Sequence, residues 1–125
     1  MAAVVLVVED NDEIRHAFAH VLNVNGYETL EARTGAEAIE KANSRRPDLI
    51  LMDIELPDIK GVEVARVIRK DLAKKVIPII GCSAFREYRE AALEAGMVDY
   101  LVKPITPELI TAKVKQFISE AGNSA

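Results

Sequence analysis

The stretch Val4-Val5-Leu6-Val7-Val8-Glu9-Asp10 decides how the rest of the chain is read. An unbroken β-branched run describes a strand covered on both faces, because a strand with one wet face alternates apolar with polar residues. The run then breaks into a pair of carboxylates. Leu49-Ile50-Leu51-Met52 has the same form and runs into Asp53, and Ile77-Pro78-Ile79-Ile80-Gly81-Cys82 runs into Ser83. Glu28-Thr29-Leu30-Glu31-Ala32 is more polar and suits a sheet edge. Val98-Asp99-Tyr100-Leu101-Val102 suits the other edge and runs into Lys103-Pro104.

Helical spacing fills the intervals. Ile14, Phe18, Val21 and Leu22 stand at i, i+4, i+7 and i+8, and Ile110, Val114, Phe117 and Ile118 repeat that stripe. Val64, Val67 and Ile68 give a third face, and Ala38, Ile39 and Ala42 a smaller one. A fourth helix from about Arg86 to Ala95 is rich in alanine, with Tyr88 and Leu93 as its large apolar residues, and is expected to be weakly anchored. Thr34-Gly35-Ala36-Glu37 reads as a capping box and Thr106-Pro107 as an N-cap before a first-turn proline. Gly26 and Gly96 stand where helices end. Strands alternating with helices give an α/β fold with a parallel sheet covered on both faces, and 2-1-3-4-5 is the common small doubly wound strand order.

At 125 residues, half of them hydrophobic and 29% charged, the chain suits one domain over 1–125 with its core at about 3–120. A net charge of -4 gives no global attraction to nucleic acid or to an anionic membrane. The single Cys82 excludes an internal disulfide and reads as inert core. The acidic break at Glu9 comes too early for a signal-peptide core, and no apolar run reaches the roughly 20 residues that span a bilayer. These features point to a soluble, cytoplasmic protein. Ala121 to Ala125 reads as a frayed tail.

Ligands of an open parallel sheet bind beyond the carboxyl ends of its strands. Glu9, Asp10 and Asp53 should converge there, with Ser83 and Lys103 arriving from the next two strands. Carboxylates so grouped repel one another unless a cation joins them, and their oxygens suit magnesium. A nucleophilic carboxylate, a metal, a hydroxyl donor and a fixed ammonium together can form and stabilise an aspartyl phosphate. Taken singly, the same residues have plainer readings: Glu9-Asp10 as first-turn charge of a helix, Asp53 as a turn residue, Ser83 as a cap and Lys103 as a surface lysine. Their joint arrival at one edge favours chemistry over coincidence. His16 and His20, at i and i+4, lack a nearby third ligand and read as surface residues. Arg45-Arg46 reads as a solvated helix end.

Over nearly its whole length the chain resembles the receiver domains of bacterial response regulators. The segments that carry the likeness are Val-Val-Glu9-Asp10, Leu-Ile-Leu-Met-Asp53-Ile-Glu-Leu-Pro57-Asp-Ile-Lys-Gly61, Ser83-Ala84 and Tyr100-Leu-Val-Lys103-Pro104. The resemblance implies a flavodoxin-like sheet of order 2-1-3-4-5 with five helices. It implies that Asp53 accepts a phosphoryl group from a histidine kinase or histidine phosphotransfer protein. Asp10 and Asp53 would bind Mg2+ (or Mn2+) directly, Glu9 through water, and the backbone carbonyl of Glu55 would be a further ligand. Lys103 would contact the phosphoryl group across a cis bond to Pro104. Ser83 would bond the phosphoryl group, and Tyr100 would turn inward as Ser83 moves, with Ala84 leaving space. Pro57 and Gly61 would shape the loop after Asp53, while Glu55 and Phe85 would set phosphoryl lifetime. The first helix would dock the kinase, with Arg15 and exposed neighbours as specificity positions. The fourth helix, fifth strand and fifth helix would present the output face to a protein target.

Such a domain neither binds DNA directly nor enters a membrane, and it catalyses part of its own phosphotransfer without being a conventional enzyme. Met1 and the short tail suit a stand-alone protein, although a receiver cut from a longer regulator gives the same pattern. Two rival readings use the same residues. Asp53-Ile54-Glu55 superficially resembles the acidic motif of haloacid-dehalogenase-type phosphatases, but there is no cap domain. A flavin-binding module shares the architecture, but an acidic pocket opposes a flavin phosphate.

Overall fold

The computed structural model describes residues 2–71 and 76–123. The apolar runs become parallel strands β1 (Val4–Val8), β2 (Glu28–Ala32), β3 (Leu49–Asp53), β4 (Ile79–Ser83) and β5 (Asp99–Val102). They lie in the order β2-β1-β3-β4-β5, the flavodoxin-like arrangement. Val8 pairs with Met52, Asp53 with Cys82 and Ser83 with Val102, so the carboxyl ends of the strands finish close together along one edge.

Between the strands stand α1 (Asp12–Val24), α2 (Gly35–Arg45), α3 (Gly61–Asp71), α4 (Arg89–Glu94) and α5 (Pro107–Asn123). Strand alternation divides the core into two layers. Val5, Val7, Leu49, Leu51, Ile80, Cys82 and Leu101 face Leu22 of α1 and Ile110 and Val114 of α5. Leu6, Val8, Ile50, Met52 and Ile79 face the opposite way, toward α2, α3 and α4, through Ala38, Ala42, Val64, Ala65, Ile68 and Ala92. Small residues on α2 let that helix lie close to the sheet and to α3. A Cβ added at Gly35 would stand 2.9 Å from the Val64 side chain.

The helix ends follow the capping residues. Thr34 Oγ1 accepts the Glu37 N–H at 3.1 Å, but the Glu37 carboxylate turns to the Arg33 N–H instead of closing a reciprocal box. Thr106 Oγ1 accepts the Leu109 N–H at 3.1 Å. Gly26 and Gly96 follow α1 and α4 with φ of 92° and 99°, the left-handed region in which glycine escapes a Cβ clash.

Several boundaries differ from the sequence reading. Ile77 and Pro78 precede β4, although the Pro78 carbonyl still accepts the Ile50 N–H at 2.9 Å. Val98 precedes β5. Val67 is exposed, so the buried stripe of α3 is Val64, Ala65 and Ile68. The segment expected as one helix from Arg86 to Ala95 is a 3-10 turn at Arg86–Tyr88 followed by a six-residue α4. Residues 84–90 are all exposed and no side chain caps α4, so neither packing nor capping regularises its first turn. At the other end α5 continues through Asn123, past the point where fraying was expected. Ser124 and Ala125 lie outside the described residues.

The tightest backbone approach closes the loop after β3. A Cβ on Gly61 would lie 2.6 Å from the Asp53 carbonyl oxygen and 2.8 Å from Ile54 Cα, both main-chain atoms that cannot yield separately. At Gly81 the nearest atom, at 2.5 Å, is the sulfur of flexible Met97. Gly61→Ala is therefore expected to cost about 1–3 kcal/mol in urea unfolding, and Gly81→Ala less.

Candidate functional site at the carboxyl edge of the sheet

β1 and β3 are neighbours, yet the chain leaves β1 toward α1 on one face and β3 toward α3 on the other. The two connections diverge and open a crevice between them, the place where an α/β sheet binds its ligands. Glu9 and Asp10 enter this crevice from β1 and Asp53 from β3. One carboxylate oxygen from each of the three lies within 4.8 Å of the others.

Glu9 and Asp53 are buried, at 2% and 4% relative exposure, while Asp10 is open to solvent. Two buried carboxylates need a counter-charge, and Lys103 supplies it. Its ammonium donates to Glu9 Oε1 at 2.7 Å and to Asp53 Oδ2 at 2.9 Å. Main-chain amides take other oxygens: the Glu55 N–H donates to Asp53 Oδ1 at 2.9 Å and the Asn11 N–H to Glu9 Oε2 at 3.2 Å. Burial pushes the Glu9 carboxyl up to about 7, against the downward pull of Lys103. Burial works against the Lys103 charge, but its bonds to Glu9 and Asp53 outweigh that and hold the ammonium above its ordinary value. The peptide between Lys103 and Pro104 is cis, as the resemblance implies.

The donor set fits a hard divalent cation. The three carboxylates bring three formal negative charges and Lys103 one positive charge, leaving two for a dication such as Mg2+ or Mn2+ to balance. Asp10, the exposed member, offers the entry side.

The next strands add a second set of groups. Ser83, at the end of β4, is fully buried; its hydroxyl donates to Glu55 Oε1 at 3.0 Å and accepts the Phe85 N–H at 3.1 Å. The Phe85 carbonyl accepts the Tyr100 hydroxyl. Tyr100 stands inside already, 2% exposed, whereas Phe85 is 46% exposed and meets Tyr88 edge to face. Ala84 is exposed beside Ser83. Gly61 brings the start of α3 back over Asp53, its N–H donating to the Ile54 carbonyl at 2.7 Å, and Pro57 lies in the loop thus closed.

Arg15 is the clearest departure from the sequence reading. It was expected among exposed docking residues, but it is buried at 5% exposure. Its guanidinium donates to the Glu9 carbonyl at 3.0 Å, pairs with Glu31 at 3.0 Å and reaches Asp12 at 2.8 Å. It therefore braces the turn that carries the acidic pair. Its phase was a usable signal, since Arg15, Ala19 and Leu22 form the buried stripe of α1. The other residue missed is Asp58, whose two carboxylate oxygens accept the N–H groups of Gly35 (2.7 Å) and Ala36 (3.0 Å) at the start of α2. Those amides hold its carboxyl below the usual range. His16 pairs with Glu31 at the surface. Cys82 is buried, and burial drives its thiol pKa up, as expected of an inert core residue. Arg45 closes the exposed end of α2.

Fold and site together define a small doubly wound α/β protein with an acidic pocket and a lysine at its topological switch point. The model of the response regulator receiver domain matches residues 5–115. The polar-differentiation response regulator DivK of Brucella anthropi is 36% identical over 119 residues, covering 94% of this chain and 97% of that protein. DivK of Brucella ovis is 35% identical over 123 residues, 97% and 100% of the two chains. Among solved structures, a CheY-like receiver domain protein of Methanospirillum hungatei superimposes with a TM-score of 0.93 at 27% identity over 100% of both chains. The chemotaxis response regulator CheY4 of Vibrio cholerae gives 0.88 at 31% identity over 94% and 99%. The chain belongs to the response regulator receiver family of two-component signalling.

Two measurements test the electrostatics of the site. Because the folded Glu9 pKa lies above its ordinary value, the folded state binds that proton more tightly than the unfolded chain. This contribution is complete below about 4.5 and is lost as pH rises through about 7. In EDTA, the urea midpoint should carry this fall between those values, and Glu9→Gln should remove it. Arg15→Ala should cost about 1–3 kcal/mol, since the buried Glu9 carbonyl loses its donor.

Proposed function

We propose that the chain is a one-domain phosphoacceptor switch in which Asp53 takes a phosphoryl group from a phosphohistidine donor, a histidine kinase or a histidine phosphotransfer protein. The observation that carries this reading is that an acidic pair, a buried hydroxyl and an ammonium, from the ends of three other strands, arrive at the edge of the sheet where Asp53 ends β3. A carboxylate oxygen of Asp53 attacks phosphorus, the P–N bond to the donor imidazole breaks, and the bonding electrons leave with the imidazole. The Glu55 amide fixes the carboxylate rotamer. Lys103 exchanges its bond to Asp53 for a phosphoryl oxygen, and Ser83 donates to another. Asp10, Asp53 and the Glu55 backbone carbonyl would hold Mg2+ (or Mn2+) directly and Glu9 through water, and the ion would supply positive charge against the phosphoryl oxygens.

Phosphorylation replaces the single carboxylate charge of Asp53 with about two charges on the phosphoryl group at pH 7, and the added acceptor oxygens and net negative charge bias the Ser83–Tyr100 arrangement and the segments that lean on it. The output surface is α4, β5 and α5. Exposed Tyr88, Leu93, Val102 and Leu109 lie on these elements and the turn before α4, and α4 buries only Ala92. That face meets a protein target, and the exposed side of α1 meets the donor. The domain works in the cytoplasm; no helix among the described residues is long and apolar enough to cross a membrane. Its transfer chemistry is intrinsic, without the sustained turnover of a phosphatase.

Acetyl phosphate with Mg2+ should add one phosphoryl group to the wild type and none to Asp53→Asn, read by intact mass. A full Mg2+-dependent mass gain in the mutant sinks the assignment. Phe85, exposed beside Ser83, is placed to hinder attacking water. Phe85→Ala should hydrolyse its aspartyl phosphate several-fold faster, and an unchanged rate removes Phe85 from that role.

A further inference from the structure

Ser83 has 0% relative exposure, so its hydroxyl must find a proton acceptor within the protein. That acceptor is Glu55 Oε1, at 3.0 Å. The Ser83 oxygen in turn accepts the Phe85 N–H, and the Phe85 carbonyl accepts the Tyr100 hydroxyl. An exposed carboxylate is thus linked to a buried tyrosine through one hydroxyl and one residue of backbone.

We propose that Glu55 is a positioning residue whose carboxylate stands in for the phosphoryl group as acceptor of the Ser83 hydroxyl, holding Ser83, Phe85 and Tyr100 inward before phosphorylation. The proposal rests on the reading of Asp53 as phosphoacceptor and Ser83 as its partner. Asp53 and Glu55 are joined by the bond from the Glu55 amide to Asp53 Oδ1, so both acceptors stand on one short segment facing Ser83. On phosphorylation the hydroxyl exchanges one anionic acceptor for another, and Tyr100 need not cross from solvent. Without the Glu55 carboxylate, the unphosphorylated Ser83 loses its acceptor and a buried hydroxyl is left unsatisfied. The inward arrangement then loses part of its advantage over the alternative with Tyr100 turned out. A group that favours the inward state beforehand also narrows the change that phosphorylation can make. The geometry therefore implies a switch with a raised resting level and a shallow response.

The test uses the full chain carrying 3-fluorotyrosine, with Tyr27→Phe and Tyr88→Phe leaving Tyr100 as the single fluorine reporter. In this background the unphosphorylated protein should give mainly an inward resonance that moves little on adding beryllofluoride and Mg2+. Glu55→Ala should lower the inward-to-outward ratio by about threefold to tenfold, the scale of an exposed charge-assisted hydrogen bond. Beryllofluoride should then restore it. Glu55→Gln, whose amide oxygen still accepts, should fall between the two. An unchanged Tyr100 signal in unphosphorylated Glu55→Ala overturns the proposal, as does a change that beryllofluoride fails to reverse, since that reports lost packing. Intact mass after acetyl phosphate separates the layers. Labelling of Asp53 in the wild type together with a Tyr100 signal that Glu55→Ala leaves unmoved sinks this inference alone, whereas no labelling of Asp53 in the wild type sinks the phosphoacceptor reading with it.

Discussion

The site is organised by one ammonium between two buried carboxylates. Glu9 and Asp53 come from adjacent strands whose pairing holds them together whether or not their charges agree. Removing both from water is tolerable only because Lys103 reaches across from the end of β5 and bonds to each. The far edge of the sheet is thereby tied to its centre, and the β5–α5 connection takes its course from that reach. Asp99 repeats the tactic on a smaller scale, pairing at 2.7 Å with Lys113 of α5.

Around this balance the protein divides its labour between rigid and loose parts. The acidic pair is braced from behind by Arg15, and the loop after Asp53 is pinned by Gly61 at one point and by Asp58 at another. The opposite rim is lightly built. α4 is six residues long, lacks a side-chain cap and is held to β5 by the Arg89 bond to the Tyr100 carbonyl at 3.1 Å. Few buried side chains and no cap are the features that go with a low local opening free energy, which would suit the output role proposed for this surface.

Much of this was legible in the residues. The unbroken runs at Val4–Val8 and Leu49–Met52 could only be strands buried on both faces, and a parallel sheet brings their carboxyl ends to one edge. That logic alone gathers Glu9, Asp10, Asp53, Ser83 and Lys103. What escaped were contacts between side chains and distant backbone. Arg15 lies in phase with a buried helical stripe, but the resemblance placed it among the docking positions of the first helix, and only the fold shows the Glu9 carbonyl and Glu31 waiting for it. Nothing in the residues around Asp58 shows that α2 begins beside it, 23 positions away in sequence. The division of the Arg86–Ala95 segment escaped for another reason. Its residues have good helical propensity, but propensity decides little in the first turn, where residues 86–90 have no core to pack against and no cap starts the helix.

The Asp58 clasp has a consequence for the thermodynamics of ligand entry. By gripping the first amides of α2 while Gly61 closes on Ile54, the loop beside the acidic pocket is fastened at two separate points. Its conformational entropy is surrendered as the chain folds, not when a ligand arrives. An ion or phosphodonor entering as proposed would meet a wall already in place and lose little affinity to ordering it. The lightly packed, uncapped segment lies across the crevice instead, so the firmly fastened wall and the sparsely held one face each other over the acidic pocket.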